Sequence, residues 1–236
     1  MRETCEVSEH VASSDALSEA AGNGDLRAVR ALLKCGVGVD GTSSRGDTAL
    51  VAAVEHHHVE VARELLAAGA DPDQRMGQGR ESFPLRYAAM HGLLPMACVL
   101  LEAEATVQGH PLSQVRMPEV VLRQIRSDLE IRAAPQFVAR SPLTEAAGRG
   151  HTDIVRLLLE HGADPNDPKT TTGEPLRTAA YGGHPGVVRL LMERGARIGA
   201  DTLVWARRGA ARPGAHVDAY TEVFTLLTAK YGGLPS

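Results

Sequence analysis

The stretch "EHHHVE", residues 55–60, is the strongest candidate metal site in the chain. Histidine is the commonest side-chain ligand for zinc and related ions. Adjacent residues of a helix point about 100° apart. His56, His57 and His58 therefore cannot hold one ion together unless the chain leaves the helix there. We predict no metal site and no cofactor.

A second chemical hypothesis is acid–base catalysis by carboxyl, imidazole and phenol groups. The sequence has no Gly-x-Ser-x-Gly elbow, and the Gly-rich "RMGQGRES" is not followed by the Lys-Ser/Thr pair of a phosphate loop. Catalysis or small-ligand binding therefore stays the alternative to a non-catalytic role. The residues that would carry it are Glu19, Glu55, His56, Tyr87, His91 and Glu145.

The elements that position these side chains follow an internal repeat. "SPLTEAAGRGHTDIVRLLLEHGADPN", at 141–166, is repeated 33 residues later as "EPLRTAAYGGHPGVVRLLMERGARIG". We divide residues 15–236 into a single array of about seven units, after an N-terminal segment 1–14. The units begin near Asp15, Thr48, Phe83, His110, Ser141, Glu174 and Asp201, and those at 110 and 201 are degenerate.

Local chemistry predicts two helices in each unit. Asp15, Thr48 and Ser141 are residue types that cap helix N-termini. Gly150 and Gly162 follow the two apolar segments of one unit, where a left-handed residue is expected to end each helix. Because one such pair cannot bury its own apolar face, the pairs are expected to stack. The predicted fold class is all-α.

"PLTEAAGRGHTDIVRLLLEHGADPN" closely resembles the ankyrin repeat, and the similarity extends over roughly residues 15–200. The resemblance implies a solenoid of helix–turn–helix units with short β-turn fingers. His58, His151 and His184 occupy the position of one usual family histidine. The histidine of the family's "TPLH" motif is replaced in every unit, so hydrogen bonds that it would make between repeats must be replaced or lost.

Composition excludes several functional classes. The net charge of −4 and an aromatic share of 3% provide neither the basic surplus nor the stacking platforms of a nucleic-acid-binding protein. "MRETCEVSEH" is acidic and polar, unlike a signal peptide, and no apolar run is long enough to cross a membrane. The three cysteines lack a CxxC pair and are predicted to be reduced thiols. We expect a cytoplasmic monomer, and the scarcity of lysine among the 25 basic residues indicates a GC-rich bacterial genome.

The resemblance implies that a protein or peptide partner binds a concave face, lined by the first helix of each unit and by the connecting loops. Tyr, Met and Arg are favoured at the centres of interfaces. We predict non-catalytic recognition by this face, as an adaptor or regulator of the partner. Its predicted residues are Glu19, Asn23, Glu55, His56, Tyr87, Met90, His91, Glu145, Arg149 and Tyr181 on the helices, with Arg45, Asp47, Arg80, Glu81, Arg140 and Glu174 in the loops.

Two features of the chain are asymmetric. Residues 1–40 have seven acidic and four basic side chains, whereas residues 175–236 have four acidic and eight basic ones, which suits a bipolar partner or is merely scattered surface charge. Residues 104–140 interrupt the repeat and lack one finger. The gap predicts a pocket beside Tyr87 that would hold a side chain or small ligand. The alternative is a decayed repeat that only keeps the two halves packed.

Overall fold

The computed structural model describes residues 13–76, 82–108, 141–166, 175–199 and 201–231. In these ranges the chain forms helices and no β-strand, which confirms the all-α prediction. The helices follow one another as pairs, each with a first and a second helix. The pairs are α1 (Ser14–Gly22) with α2 (Leu26–Lys34), α3 (Ala49–Glu55) with α4 (Val59–Ala67), α5 (Pro84–His91) with α6 (Leu94–Glu102), α7 (Pro142–Arg149) with α8 (Thr152–Glu160), α9 (Pro175–Gly182) with α10 (Pro185–Glu193), and α11 (Thr202–Ala210) with α12 (Val217–Tyr231).

Hydroxyl side chains cap the first helices α1, α3 and α7. Thr48 and Ser141 accept hydrogen bonds from the backbone N–H groups of the first helical turn, as predicted from their residue types. At α1 the prediction of Asp15 is wrong, because Ser13 is the N-cap and Asp15 already lies inside the helix. The Asp15 carboxylate instead accepts a 2.6 Å hydrogen bond from the N–H of Ser44, in the loop before α3.

Glycines in the left-handed region follow both helices of a pair. Gly150 has φ = 79° directly after α7, and Gly162 has φ = 86° just beyond α8. A side chain at such a φ is strained, so glycine is the residue that ends a helix there without that cost. Both helix ends predicted from the glycine positions are confirmed.

Among the described residues the chain divides into two compact units, 13–88 with 93–106 and 89–92 with 107–231. In the first unit, the first helices α1 and α3 pack against each other, and α4 packs against both α2 and α6. Its core includes Val29, Leu50, Leu65 and Leu100, all fully or almost fully buried. Each such side chain contributes about 1.5–3 kcal/mol by leaving water.

The second unit has the same layered arrangement. The first helices α7, α9 and α11 pack in succession, and the second helices α8, α10 and α12 pack beside them in the same order. Leu143, Leu158, Leu176, Leu191 and Leu227 fill its core. Every first helix in this unit is therefore packed against at least one neighbouring first helix.

Ion pairs connect second helices of successive pairs. The paired atoms lie 2.6–2.8 Å apart, but the side chains are largely exposed, and such pairs add little to stability. The pairs are Arg30–Glu64, Arg63–Glu102 and Arg189–Glu222.

Histidine rings supply hydrogen bonds between repeats. The His58 ring donates through Nε2 to the carbonyl of Gly22 at 3.0 Å, and His184 donates in the same way to Gly148 at 3.1 Å. The loops add further bonds, for example from the Arg197 N–H to the Asn166 side-chain oxygen at 2.7 Å. His58 and His184 occupy the position of one usual family histidine, so the replacement or loss of the bonds of the missing "TPLH" histidine stays a prediction.

Several sequence predictions lie outside the described residues. They are the degenerate unit near 110, the predicted pocket at the interrupted repeat, and the loop residues Arg80, Glu81, Arg140 and Glu174. Cys98 is a free thiol as predicted, whereas Cys35 is disulfide-bonded, so the prediction of reduced cysteines is wrong for that residue. Among the described helices, none has the length and apolar character needed to cross a membrane.

Candidate functional site

In the first unit, the predicted partner-binding residues lie on the outward side of α1, α3 and α5 and in the loop before α3. We call this group the acidic surface. Its members are Glu19, Asn23, Arg45 and His56, which are exposed, and Asp47, Glu55 and Tyr87, which are half-buried. The positions predicted from the repeat are therefore wholly or partly accessible in this unit.

Glu55 interacts electrostatically with Asp47, His56 and Tyr87 of the acidic surface. Burial raises the pKa of its carboxyl, and the nearby Asp47 carboxylate raises it further, while His56 acts in the opposite direction. Burial also raises the pKa of the Tyr87 phenol, with a further contribution from the charge of Glu55. The structure thus brings Asp47, Glu55 and Tyr87 together. The sequence could not specify this proximity. A carboxyl and a phenol so placed can bind a polar group or exchange protons with one.

The rings of His56 and His58 stack with their centroids 6.4 Å apart, whereas His57 turns away from them. α3 ends at Glu55, and His57 has φ = 63°, so the chain does leave the helix at this point. The His57 ring turns towards Tyr87, with 6.5 Å between the ring centroids, and the His58 ring is held by the carbonyl of Gly22. Within the described parts of the chain, no three His, Cys, Asp or Glu side chains are grouped to hold a metal ion.

The second unit contains the remaining predicted residues. Arg149 and His91 are exposed, and Tyr181 and Met90 are half-buried. Glu145 is only 7% exposed, so the prediction that it faces solvent is wrong. Its helix, α7, buries every residue from Pro142 to Ala147, and position 145 therefore has no outward side.

A cluster that sequence reasoning missed lies on α9 and α11. The guanidinium groups of Arg177 and Arg208 are placed over the Trp205 ring, 5.4 and 5.1 Å from its centroid. Trp205 in turn meets the Tyr181 ring edge-on, with 5.6 Å between centroids. Cation–π contacts of this kind hold both partners in one orientation.

Arg212 completes the cluster from the loop after α11. Its guanidinium lies 4.4 Å from the centroid of the Tyr181 ring and donates hydrogen bonds to the Tyr181 carbonyl and the Tyr220 hydroxyl, both at 3.0 Å. The bond to Tyr220 is the main cause that raises the pKa of Arg212. We call this group the aromatic–arginine cluster: Arg177, Tyr181, Trp205, Arg208 and Arg212.

The repeat itself holds the signal that would have located this cluster. Aligning the unit at 201 with the unit at 174 places Trp205 opposite Thr178 and Arg208 opposite Tyr181. Because the unit at 201 departs from the repeat pattern, its first helix is absent from the predicted surface. The helical spacing of Val204, Trp205 and Arg208 was nevertheless present in the sequence.

Comparisons with known proteins agree with this architecture. The family described as ankyrin repeats (3 copies) matches residues 17–109 and 113–202. The crystal structure of the human ASB11 ankyrin repeat domain superposes with a TM-score of 0.65 and 28% identity, covering 92% of this chain and 84% of that one.

Curated relatives share the repeats but are much longer. A stretch of 130 residues is 30% identical to the ankyrin repeat protein nuc-2 of Neurospora crassa, covering 50% of this chain and 12% of that protein. Another of 154 residues is 30% identical to the probable E3 ubiquitin-protein ligase XBOS32 of Oryza sativa subsp. japonica, covering 62% of this chain and 30% of that protein. This chain therefore spans less than a third of either relative.

Proposed function

Because this chain belongs to the ankyrin repeat family, we propose that it recognises a partner protein or peptide without catalysing a reaction, as an adaptor or regulator of that partner. Domains of this family generally bind proteins. The proposed contacts are the outward sides of the first helices and the loops that precede them. Cytoplasmic location, monomeric state and bacterial origin stay predictions from the sequence.

The aromatic–arginine cluster is the observation that carries this proposal. Tyr, Trp and Arg are the residues most enriched among the energetic hot spots of interfaces. Here the rings of Tyr181 and Trp205 are half-buried and held by arginine contacts, so little side-chain entropy remains to be lost on binding. The acidic surface supports the same reading, since it presents Tyr87 beside carboxylates.

A pull-down from the source organism with matched variants tests the proposal. Replacing Tyr87, Arg149 and Tyr181 by Ala is expected to weaken partner binding by a few kcal/mol, as loss of interface anchors does. The control replaces Arg30, Arg63 and Arg189 on the second helices by Ala and is expected to bind like wild type. Circular dichroism checks that both variants fold. Equal binding by the two variants would contradict the proposal.

Small-ligand binding or catalysis at the acidic surface is the second candidate. The specific observation in its favour is the raised pKa of Glu55 beside Tyr87 and His56. Perturbed carboxyls of this kind are frequent at functional sites. Turnover of a metabolite by purified protein, abolished in Glu55→Gln with helicity unchanged, would decide for this candidate. Absence of turnover across a metabolite panel, together with partner capture, would decide against it.

A further inference from the structure

We propose that the aromatic–arginine cluster binds an acidic peptide segment of the partner, with carboxylates on the arginines and an apolar side chain against Trp205. This inference rests on the proposed function and specifies the chemistry of the partner. It concerns one site within the second unit, on α9, α11 and the loop after α11.

Charge is the first argument. Three guanidinium groups surround two aromatic rings, and the described carboxylate in contact with them is Asp201, 2.7 Å from Arg177. In the part of the chain that the structure describes, Arg208 and Arg212 form no ion pair with a carboxylate. The cluster therefore has an excess of positive charge, which complements an acidic segment.

Geometry is the second argument. A guanidinium stacked on an aromatic ring keeps its N–H groups in the guanidinium plane, where they can bind a carboxylate through two parallel hydrogen bonds. Arg208 is exposed, and its guanidinium carbon lies over the Trp205 ring, 5.1 Å from the centroid. The ring contact orients the side chain before a ligand arrives, so binding loses less entropy than it would with a freely rotating arginine.

Apolar surface beside the arginines is the third argument. Val204 is 49% exposed, an uncommon degree of exposure for a large apolar side chain in this protein. It precedes Arg208 by four residues on α11, so the two lie on the same side of the helix. Val204 and the half-buried Trp205 ring therefore offer apolar surface next to the positively charged arginines. A peptide that combines acidic and apolar residues fits such a surface better than a free inorganic anion does.

The single tryptophan of the chain makes the proposal directly measurable, because its fluorescence reports from the cluster itself. The probe is a 12-residue peptide with four Glu-Glu-Leu repeats, titrated into the full chain at 50 mM NaCl. We expect a saturable change in emission. A peptide with Gln in place of Glu is expected to bind at least about tenfold more weakly, as is the Glu peptide in 0.5 M NaCl, where charges are screened.

Matched variants locate the site. Arg208→Gln is expected to weaken the Glu peptide at least about tenfold, as loss of a hot-spot arginine does. Arg189→Gln removes the same charge from α10, in the second-helix layer, and is expected to stay within about twofold of wild type. Thermal melts check that both variants are folded.

Three results would overturn the proposal. They are equal binding of the Glu and Gln peptides, unchanged binding in Arg208→Gln, and an equal emission change with inorganic phosphate alone. The partner from the pull-down separates this inference from the proposed function. If it bound wild type and Arg208→Gln equally, protein recognition would stand and the acidic-peptide assignment would fall.

Discussion

The hydroxyl of Tyr220 donates a 2.7 Å hydrogen bond to the carbonyl of Tyr181. This carbonyl precedes Gly183, at φ = 72°, by two residues, just as the Gly148 carbonyl precedes its own left-handed glycine. In that earlier repeat the donor is the His184 ring. In the last helix pair a tyrosine on the second helix therefore replaces the histidine that connects one repeat to the next.

Replacing Tyr220 by Phe tests this connection. The ring is 3% exposed and would stay packed, but the Tyr181 carbonyl would lose one donor. The Arg212 guanidinium would also lose the Tyr220 hydroxyl as an acceptor. We expect the free energy of unfolding to fall by about 1–3 kcal/mol, because two hydrogen bonds are removed. Urea denaturation measures the change. The control is Thr228→Ala, which removes an exposed hydroxyl from the same helix. It is expected to lower the free energy of unfolding by less than Tyr220→Phe does. An equal loss in both variants would contradict the role assigned to Tyr220.

A pair of glycine variants tests the histidine contact in the first unit. Gly24 and Gly36 both have positive φ, so alanine at either costs about 1–2 kcal/mol of backbone strain. A β-carbon on Gly24 would also lie 2.6 Å from Nδ1 of His58, whereas one on Gly36 would meet nothing within 4 Å. We expect Gly24→Ala to be the more destabilising, by roughly 1 kcal/mol or more. Equal losses in urea denaturation would show that the His58 ring is not held in place.

The stability of the second unit is expected to depend on pH through His184. Burial lowers the pKa of this ring, opposed by its bond to Gly148 and assisted by the charges of His151 and Arg212. Because the folded pKa lies below the unfolded value of 6.5, the unfolded chain takes up the proton first as the pH falls. This contribution is complete above pH 6.5 and is lost below it. Melts from pH 8 to 5 should show a smaller decrease in His184→Gln than in wild type; parallel curves would exclude His184.

Glu55→Gln is expected to stabilise the protein at pH 7. Burial and Asp47 raise the pKa of this carboxyl, so folding disfavours its charged form. The cost appears as the pH rises through the unfolded value of 4.5 and the folded pKa above it, and it is present at neutral pH. The midpoint of thermal unfolding should rise slightly. Glu60→Gln, at an exposed position on α4, is the control. An equal rise in the unfolding midpoint of this variant would contradict a destabilising effect specific to the Glu55 carboxylate.

Much of the helical framework could be predicted from the sequence because it depends on local chemistry. Hydroxyl caps such as Ser141 act on N–H groups three residues away, and glycines such as Gly150 and Gly162 end helices through their own φ. These effects need no distant partner. Because the units repeat, the same capping and helix-ending residue types recur along the chain. Local chemistry alone could not identify the cap of α1, because Ser13 and Asp15 are both suitable residue types. In the structure Ser13 caps the helix, and the Asp15 carboxylate binds the N–H of Ser44 instead.

The candidate surfaces needed the tertiary structure. Glu145 has the helical position of an outward residue, yet it is buried because α7 is enclosed along most of its length. The electrostatic interaction between Glu55 and Tyr87, and the packing of Trp205 against Arg177 and Tyr181, join side chains 24 to 32 residues apart in sequence. The sequence alone determined that the chain forms stacked helix pairs. Which side chains meet across neighbouring pairs, and with what burial and charge, was decided by the packing of one repeat on the next.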